Sequence, residues 1–171
     1  MSFVTLVGNP REGSRTRTVA EHAAELVAGR LGYSGKREVI DLAGLAPRLL
    51  DPQPPAEVRE ALDLAAAATV LLVASPTYKA TYTGLLKVFL DRLKPDALAG
   101  VTALPILVMG DPKHSLAVET HLRPLLVELG ATVPTPGLAL LEADIAAPEE
   151  VLGRWADRIA PQMALREDTS A

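Results

Sequence analysis

The 171-residue sequence contains no cysteine. Disulfides, thiolate metal centres and thiol nucleophiles are therefore excluded, and the composition suits a reducing cytoplasm, the location expected for the chain. Aromatic residues are scarce, at 4% with a single Trp, so the core must be aliphatic, as in layered α/β proteins. Basic runs are missing from a chain of net charge −4 and pI about 5.4, which argues against nucleic-acid binding. Long apolar runs are missing too. The longest, near residues 64–74, falls short of the roughly 20 residues that span a bilayer, and no membrane association is expected. The opening Met-Ser-Phe-Val-Thr-Leu-Val has neither a basic stretch nor a cleavage site, so no signal peptide is expected. Three scattered histidines, His22, His114 and His121, do not make a metal site.

What is present is an alternation of strand and helix patterns. Residues 3–7 read as a buried strand ending at Gly8, and residues 37–41 as a weaker one. Thr-Val-Leu-Leu-Val-Ala at 69–74 is the clearest strand, 103–109 the next, and 137–141 the last. Pro105 lacks the N–H that central pairing needs, so pairing is expected to begin after it. Thr18 and Glu21 carry a capping-box pattern. The helix that follows places Val19, Ala23, Leu26, Val27 and Leu31 on one face, with His22 solvated on the other. Further helices are expected over 56–68, 84–93, 114–129 with an offset at Pro124, and 148–164 with Pro148 in its first turn. The tail after Leu165 reads as frayed. Residues 1–171 are expected to form a single domain, an α/β fold with a doubly wound, five-stranded parallel sheet and helices on both faces. In such sheets ligands bind outside the carboxyl ends of the strands, where strand order switches. That rule selects the loops 8–17, 75–83 and 110–115.

The first loop places Arg11, Arg15 and Arg17 just before a helix N-terminus, with Ser14 and Thr16 adding hydroxyls. Free helix N–H groups and guanidinium forks are the parts of a phosphate cradle. Ser and Thr taken alone are as well explained by helix capping; the whole cluster at a switch-point loop favours phosphate over a solvated turn. Gly-x-Gly-x-x-Gly is absent, and Ser14-Arg15 stands where a P-loop needs Lys-Ser/Thr. Dinucleotide-fingerprint and nucleotide-kinase readings are therefore set aside. In the second loop Tyr78 offers a flat wall to a planar heteroaromatic ring; equally, Tyr78 and Tyr82 could simply cover the sheet edge.

Three segments carry a family resemblance: Gly8-Asn9-Pro10-Arg11-x-x-Ser14-Arg15-Thr16; Ser75-Pro76-Thr77-Tyr78-Lys79-Ala80 through Gly84-x-Leu86-Lys87-x-x-Leu90-Asp91; and Gly110-x-x-x-His114-x-Leu116-Ala117-Val118. Over residues 3–145 the sequence resembles the NADPH-dependent FMN reductases of flavodoxin-like fold, above all the alkanesulfonate-type reductases that serve two-component monooxygenases. The resemblance implies that Asn9, Arg11, Ser14, Arg15 and Thr16 hold the FMN phosphate. Pro76, Thr77, Tyr78 and Lys79 would line the isoalloxazine, and Gly110 and Asp111 would approach it. Lys87 and Asp91 match the motif, but their i,i+4 spacing makes them a structural pair. Asn9 replaces the usual Ser, Asp111 a small residue that would otherwise leave the reduced ring without a nearby negative charge, and Thr120 stands where relatives carry an aromatic.

The implied activity is hydride transfer from NADPH, with NADH as an alternative donor, to FMN. No catalytic side chain is required, because the cofactors carry the chemistry. Lys113 and Arg48 are candidates for the 2′-phosphate that separates NADPH from NADH. The resemblance further implies a homodimer or homotetramer and a flavin-dependent monooxygenase as partner. A quinone or azo reductase with tightly held FMN is the alternative enzyme, and a flavodoxin-like electron carrier the non-enzymatic one.

Overall fold

The structure is a computed structural model that describes residues 1–163; the tail beyond Leu165 lies outside the described residues. Its framework is a five-stranded, all-parallel sheet of order β2-β1-β3-β4-β5. The strands are β1 (Phe3–Val7), β2 (Arg37–Asp41), β3 (Val70–Pro76), β4 (Thr102–Met109) and β5 (Leu138–Leu141). Helices α1 (Arg15–Arg30) and α6 (Glu149–Met163) cover one face, where Phe3, Val7, Leu72, Ile106, Trp155 and Ile159 pack together. On the other face lie a short α2 (Leu42–Leu45), α3 (Ala56–Ala66), α4 (Gly84–Leu90) and α5 (Arg123–Glu128), over Leu6, Leu71, Val73, Phe89 and Leu107. Strands β1 and β3 are buried along their whole length, as expected for continuous apolar runs covered on both faces. Strand β2 is weak because it is an edge, with only Ile40 buried.

Three sequence expectations shift in the structure. Helix α1 starts at Arg15, not at a Thr18 box: Ser14 Oγ accepts from Arg17 N at 3.2 Å, and Gly13 at φ 60° turns the chain into that cap. Glu21 instead binds the Arg17 guanidinium at 2.8 Å. Pro105 pairs fully with β3, opposite Val73. Ala103 N donates to Thr132 O on the far side, so two residues on, the missing N–H of Pro105 faces that same side. There β5 joins only at Ile106, and no ladder bond is lost. His22, expected to be solvated, lies half-buried 3.6 Å from Glu149. Pro124 offsets its helix as expected: residues 118–122 form a π turn ahead of α5.

That π turn is latched to the chain entering β5. Arg123 ion-pairs with Glu119 through Nε and donates at 2.6 Å to the carbonyls of Val133 and Thr135, while Glu119 Oε1 accepts from Gly137 N at 2.7 Å. The Arg123 hydrogen bond, then the Gly137 N–H, hold the Glu119 carboxyl below its ordinary value against the opposing effect of burial. A carboxylate favoured in the fold stabilises above its unfolded pKa of about 4.3 and loses that contribution as pH falls through its folded value. Wild type should therefore lose about 0.5–1 kcal/mol, solvent screening included, from this latch between pH 5 and more acidic conditions. In Glu119→Gln that part of the pH dependence should vanish from urea titrations, and equal acid slopes would refute the assignment.

Candidate functional site

The carboxyl ends of β1 and β3 open onto a cleft of about 250 Å³, bounded by the first loop, Pro76, Tyr78 and the turn after β5. Close packing fixes the first loop. Gly8 N donates to Ala74 O at 2.7 Å, and a Cβ on Gly8 would stand 2.7 Å from Leu86 Cβ, inside contact distance. Thr83 clamps the loop from below. Its hydroxyl donates to Gly8 O at 2.6 Å and accepts from Leu86 N at 3.1 Å, which also caps α4. Asn9 then shapes the turn: Oδ1 accepts from Arg11 N and Nδ2 donates to Thr16 Oγ1, both at 3.0 Å. Asn9, Ser14 and Thr16 are all buried. Their side chains hold the loop open around the first turn of α1, where Ser14 takes the Arg17 N–H and which carries no acidic residue.

The three arginines part company. Arg17 turns away to Glu21 and Asp41. Arg15 lines the cleft but pairs across it with Glu142 at 3.1 Å. Arg11 lines the cleft, exposed, and makes no ion pair among the described residues. The two tyrosines part as well: Tyr82 packs on the core, whereas Tyr78 is 43% exposed and lines the cleft. Tyr78 and Thr81 close a hairpin, Tyr78 N to Thr81 O at 2.8 Å, with Lys79 at φ 51° and Ala80 at φ 71° at its tip. Two consecutive positive φ values define a type I′ turn that favours Gly and Asn. Ala80→Gly should therefore raise stability by about 0.5–1 kcal/mol and the melting temperature by about 2–4 °C. A melt that is unchanged or lower in scanning calorimetry would show that the turn is unstrained.

Asn9, Arg11, Ser14, Arg15, Thr16, Pro76 and Tyr78 thus come together around the cleft. Thr77, Lys79, Gly110 and Asp111 stand outside its walls. Thr77 is tied by N–H to Val108 O at 2.7 Å, and its Oγ1 is buried with no hydrogen-bond partner among the described residues. Lys79 is exposed at the hairpin tip. Asp111 caps the turn 112–114 through Lys113 N and pairs with Lys113 Nζ at 2.8 Å. The Lys113 contacts hold the Asp111 carboxyl below its ordinary value, and the lysine offsets its charge. Lys113 is thereby engaged, as is Arg48 by Asp51 at 2.7 Å. Lys87 and Asp91 form the expected i,i+4 pair.

Sequence reasoning missed Thr83, Glu142 and Ile145. Thr83 was findable as a capping residue before Gly84-Leu85-Leu86. Glu142 follows directly on β5, so the rule that chose three strand-end loops also selects this fourth one. A larger hollow, about 480 Å³, lies between α1 and β2, but it is on the flank of the sheet, and Glu21, His22 and Lys36 along it are paired with neighbours. The chemistry favours the smaller cleft.

The donor set fits a flavin mononucleotide. The Arg11 guanidinium, without an ion pair among the described residues, and the acid-free start of α1 meet a phosphate ester, and Tyr78 offers a ring face. Comparison with known proteins agrees. A family described as NADPH-dependent FMN reductase matches residues 1–144. The FMN reductase (NADPH) of Escherichia coli K12 is 37% identical over 138 residues, 77% of this chain and 68% of its own length. An NADH-dependent FMN reductase, SfnF, of Pseudomonas fluorescens is 30% identical over 85% of this chain and 79% of its own. Among solved structures, an apo NADH:FMN oxidoreductase, EmoB, superposes with a TM-score of 0.86 at 34% identity, covering 99% of this chain and 91% of that one.

Proposed function

The chain belongs to the NADPH-dependent FMN reductase family, and we propose that it takes up FMN through the 8–16 loop and releases it, reduced, to a flavin-dependent monooxygenase. As a member of that family it is an oxidoreductase that uses NAD(P)H and FMN. The single observation that carries the site reading is the convergence of Arg11, the Asn9–Thr16 frame and Tyr78 on one cleft at the β1/β3 switch point. When bound, FMN supplies the two-electron acceptor.

In this reading Arg11 and the Arg15 and Thr16 N–H groups at the start of α1 hold the phosphate. Asn9, Ser14 and Thr16 keep the loop in the shape that lets them do so. Tyr78 and the Pro76–Lys79 backbone flank the ring, with the Thr77 hydroxyl and the Gly110–Asp111 turn at its polar edge. Fixed N–H donors at that edge favour the negative charge that reduction builds there. No side chain needs to act as acid, base or nucleophile. The reading extends to a homodimer or homotetramer, which light scattering at micromolar concentration tests.

Anaerobic stopped-flow with FMN or FAD against NADPH or NADH provides the main test. Protein purified nearly colourless should oxidise NAD(P)H once FMN is added. Absence of oxidation in every pairing would remove the reading, and a tightly bound yellow flavin turning over with quinones would replace it with the quinone or azo reductase.

A further inference from the structure

Glu142 stands where a phosphate cradle least needs a carboxylate. It follows immediately on β5, at the start of the 142–146 turn, and its Oε2 lies 3.1 Å from Nη2 of Arg15 across the mouth of the cleft. Both side chains are solvent-accessible, at 65% for Arg15 and 45% for Glu142, so the contact is adjustable rather than a buried structural pair. Arg11 and Arg15 are the cationic side chains that line the cleft, and Glu12 and Glu142 line it as well, cancelling their charge. Arg17, which would have restored a positive balance, is held by Glu21 and Asp41.

From this arrangement we propose that Glu142 is an internal counter-anion that competes with the flavin phosphate for Arg15 and so limits how tightly FMN is held. The inference rests on the reading of the cleft as the FMN phosphate site and deepens it. A dianionic phosphate entering the cleft draws Arg15 from Glu142 and leaves a carboxylate beside the new anion. Both effects oppose binding, and both act on the phosphate rather than on the ring. Glu142 thereby makes FMN a diffusible substrate that leaves after turnover instead of a resident prosthetic group. It is a specificity-determining residue for phosphate affinity, not a catalytic one.

Fluorescence titration of FMN and of riboflavin, which lacks the phosphate, against wild type, Glu142→Gln and Glu142→Ala separates the possibilities. Exposed ion pairs are weak, and loss of the repulsion adds to the gain. FMN should therefore bind about threefold to tenfold more tightly to both variants, leave more slowly in stopped-flow, and show a lower KM, while riboflavin affinity stays at the wild-type value. FMN affinity unchanged or weakened in both variants overturns the proposal, and so does an equal gain for riboflavin, which would move the effect from phosphate to ring. Arg11→Ala, titrated in parallel, reports on the cradle itself. A loss of FMN affinity there with no gain at Glu142 overturns the competition alone. No loss at Arg11 removes the phosphate site and the competition with it.

Discussion

Thr83→Val should unfold about 2–4 kcal/mol more easily than wild type, a drop of about 5–12 °C in melting temperature for a domain of this size. Valine keeps the shape of threonine and discards one hydroxyl. That hydroxyl serves two backbone groups at once, the Gly8 carbonyl and the Leu86 N–H, in a side chain 2% exposed. Without it both groups are left buried and unpaired, and each such orphan costs about 1–3 kcal/mol. The loss of the α4 cap is part of the same cost. Because the first loop hangs on the Gly8 carbonyl, FMN affinity should fall with stability, at temperatures where the variant is still folded. Thr83→Ser retains the hydroxyl and should stay within about 1 kcal/mol of wild type. If the Val and Ser variants melt together in calorimetry, the hydroxyl is not what joins the two loops.

Arg11→Ala is the second large effect, and it should act on ligand and not on fold. The guanidinium is exposed and unpaired among the described residues, so nothing in the folded chain depends on it. Its removal should weaken FMN binding by about 1.5–3 kcal/mol, the range for a charge-assisted hydrogen bond, or roughly 10-fold to 150-fold in Kd. Riboflavin affinity and melting temperature should both remain at wild-type values. High salt should narrow the gap between variant and wild type, since the cleft is open to solvent. A fluorescence titration giving equal FMN affinities for the two proteins would take Arg11 out of the cradle.

These two residues mark different depths of legibility. Arg11 could be read directly, since a basic cluster between a buried strand and a helix in an acidic chain points to an anion. Thr83 carries an ordinary capping pattern, and nothing local to it reveals that its hydroxyl reaches Gly8, 75 positions away. The strands were readable because apolar runs covered on both faces leave strong signals, and even the weakness of β2 matched its place at the edge. Pro105 misled because a strand has two sides. A missing N–H costs nothing when it faces the stretch that the neighbouring strand has not yet reached. The start of α1 was misplaced for a related reason. Two hydroxyl residues, Ser14 and Thr18, could each have capped it, and the left-handed Gly13 that decides for Ser14 shows only in the backbone.

By itself, the amino-acid sequence determined the order of strands and helices, the parallel sheet that follows from their alternation, and the loops that gather at its carboxyl edge. All of these come from local periodicity and from the short-range chemistry of Gly, Pro, Ser and Arg. Tertiary structure alone decided which charges are available. It turns Arg17 to Glu21 and Asp41, sets Glu142 against Arg15, and leaves Arg11 facing the cleft unpaired among the described residues. Electrostatic attraction depends on distance through space, and the 127 positions that separate Arg15 from Glu142 along the chain close to 3.1 Å only when β5 takes its place at the end of the sheet.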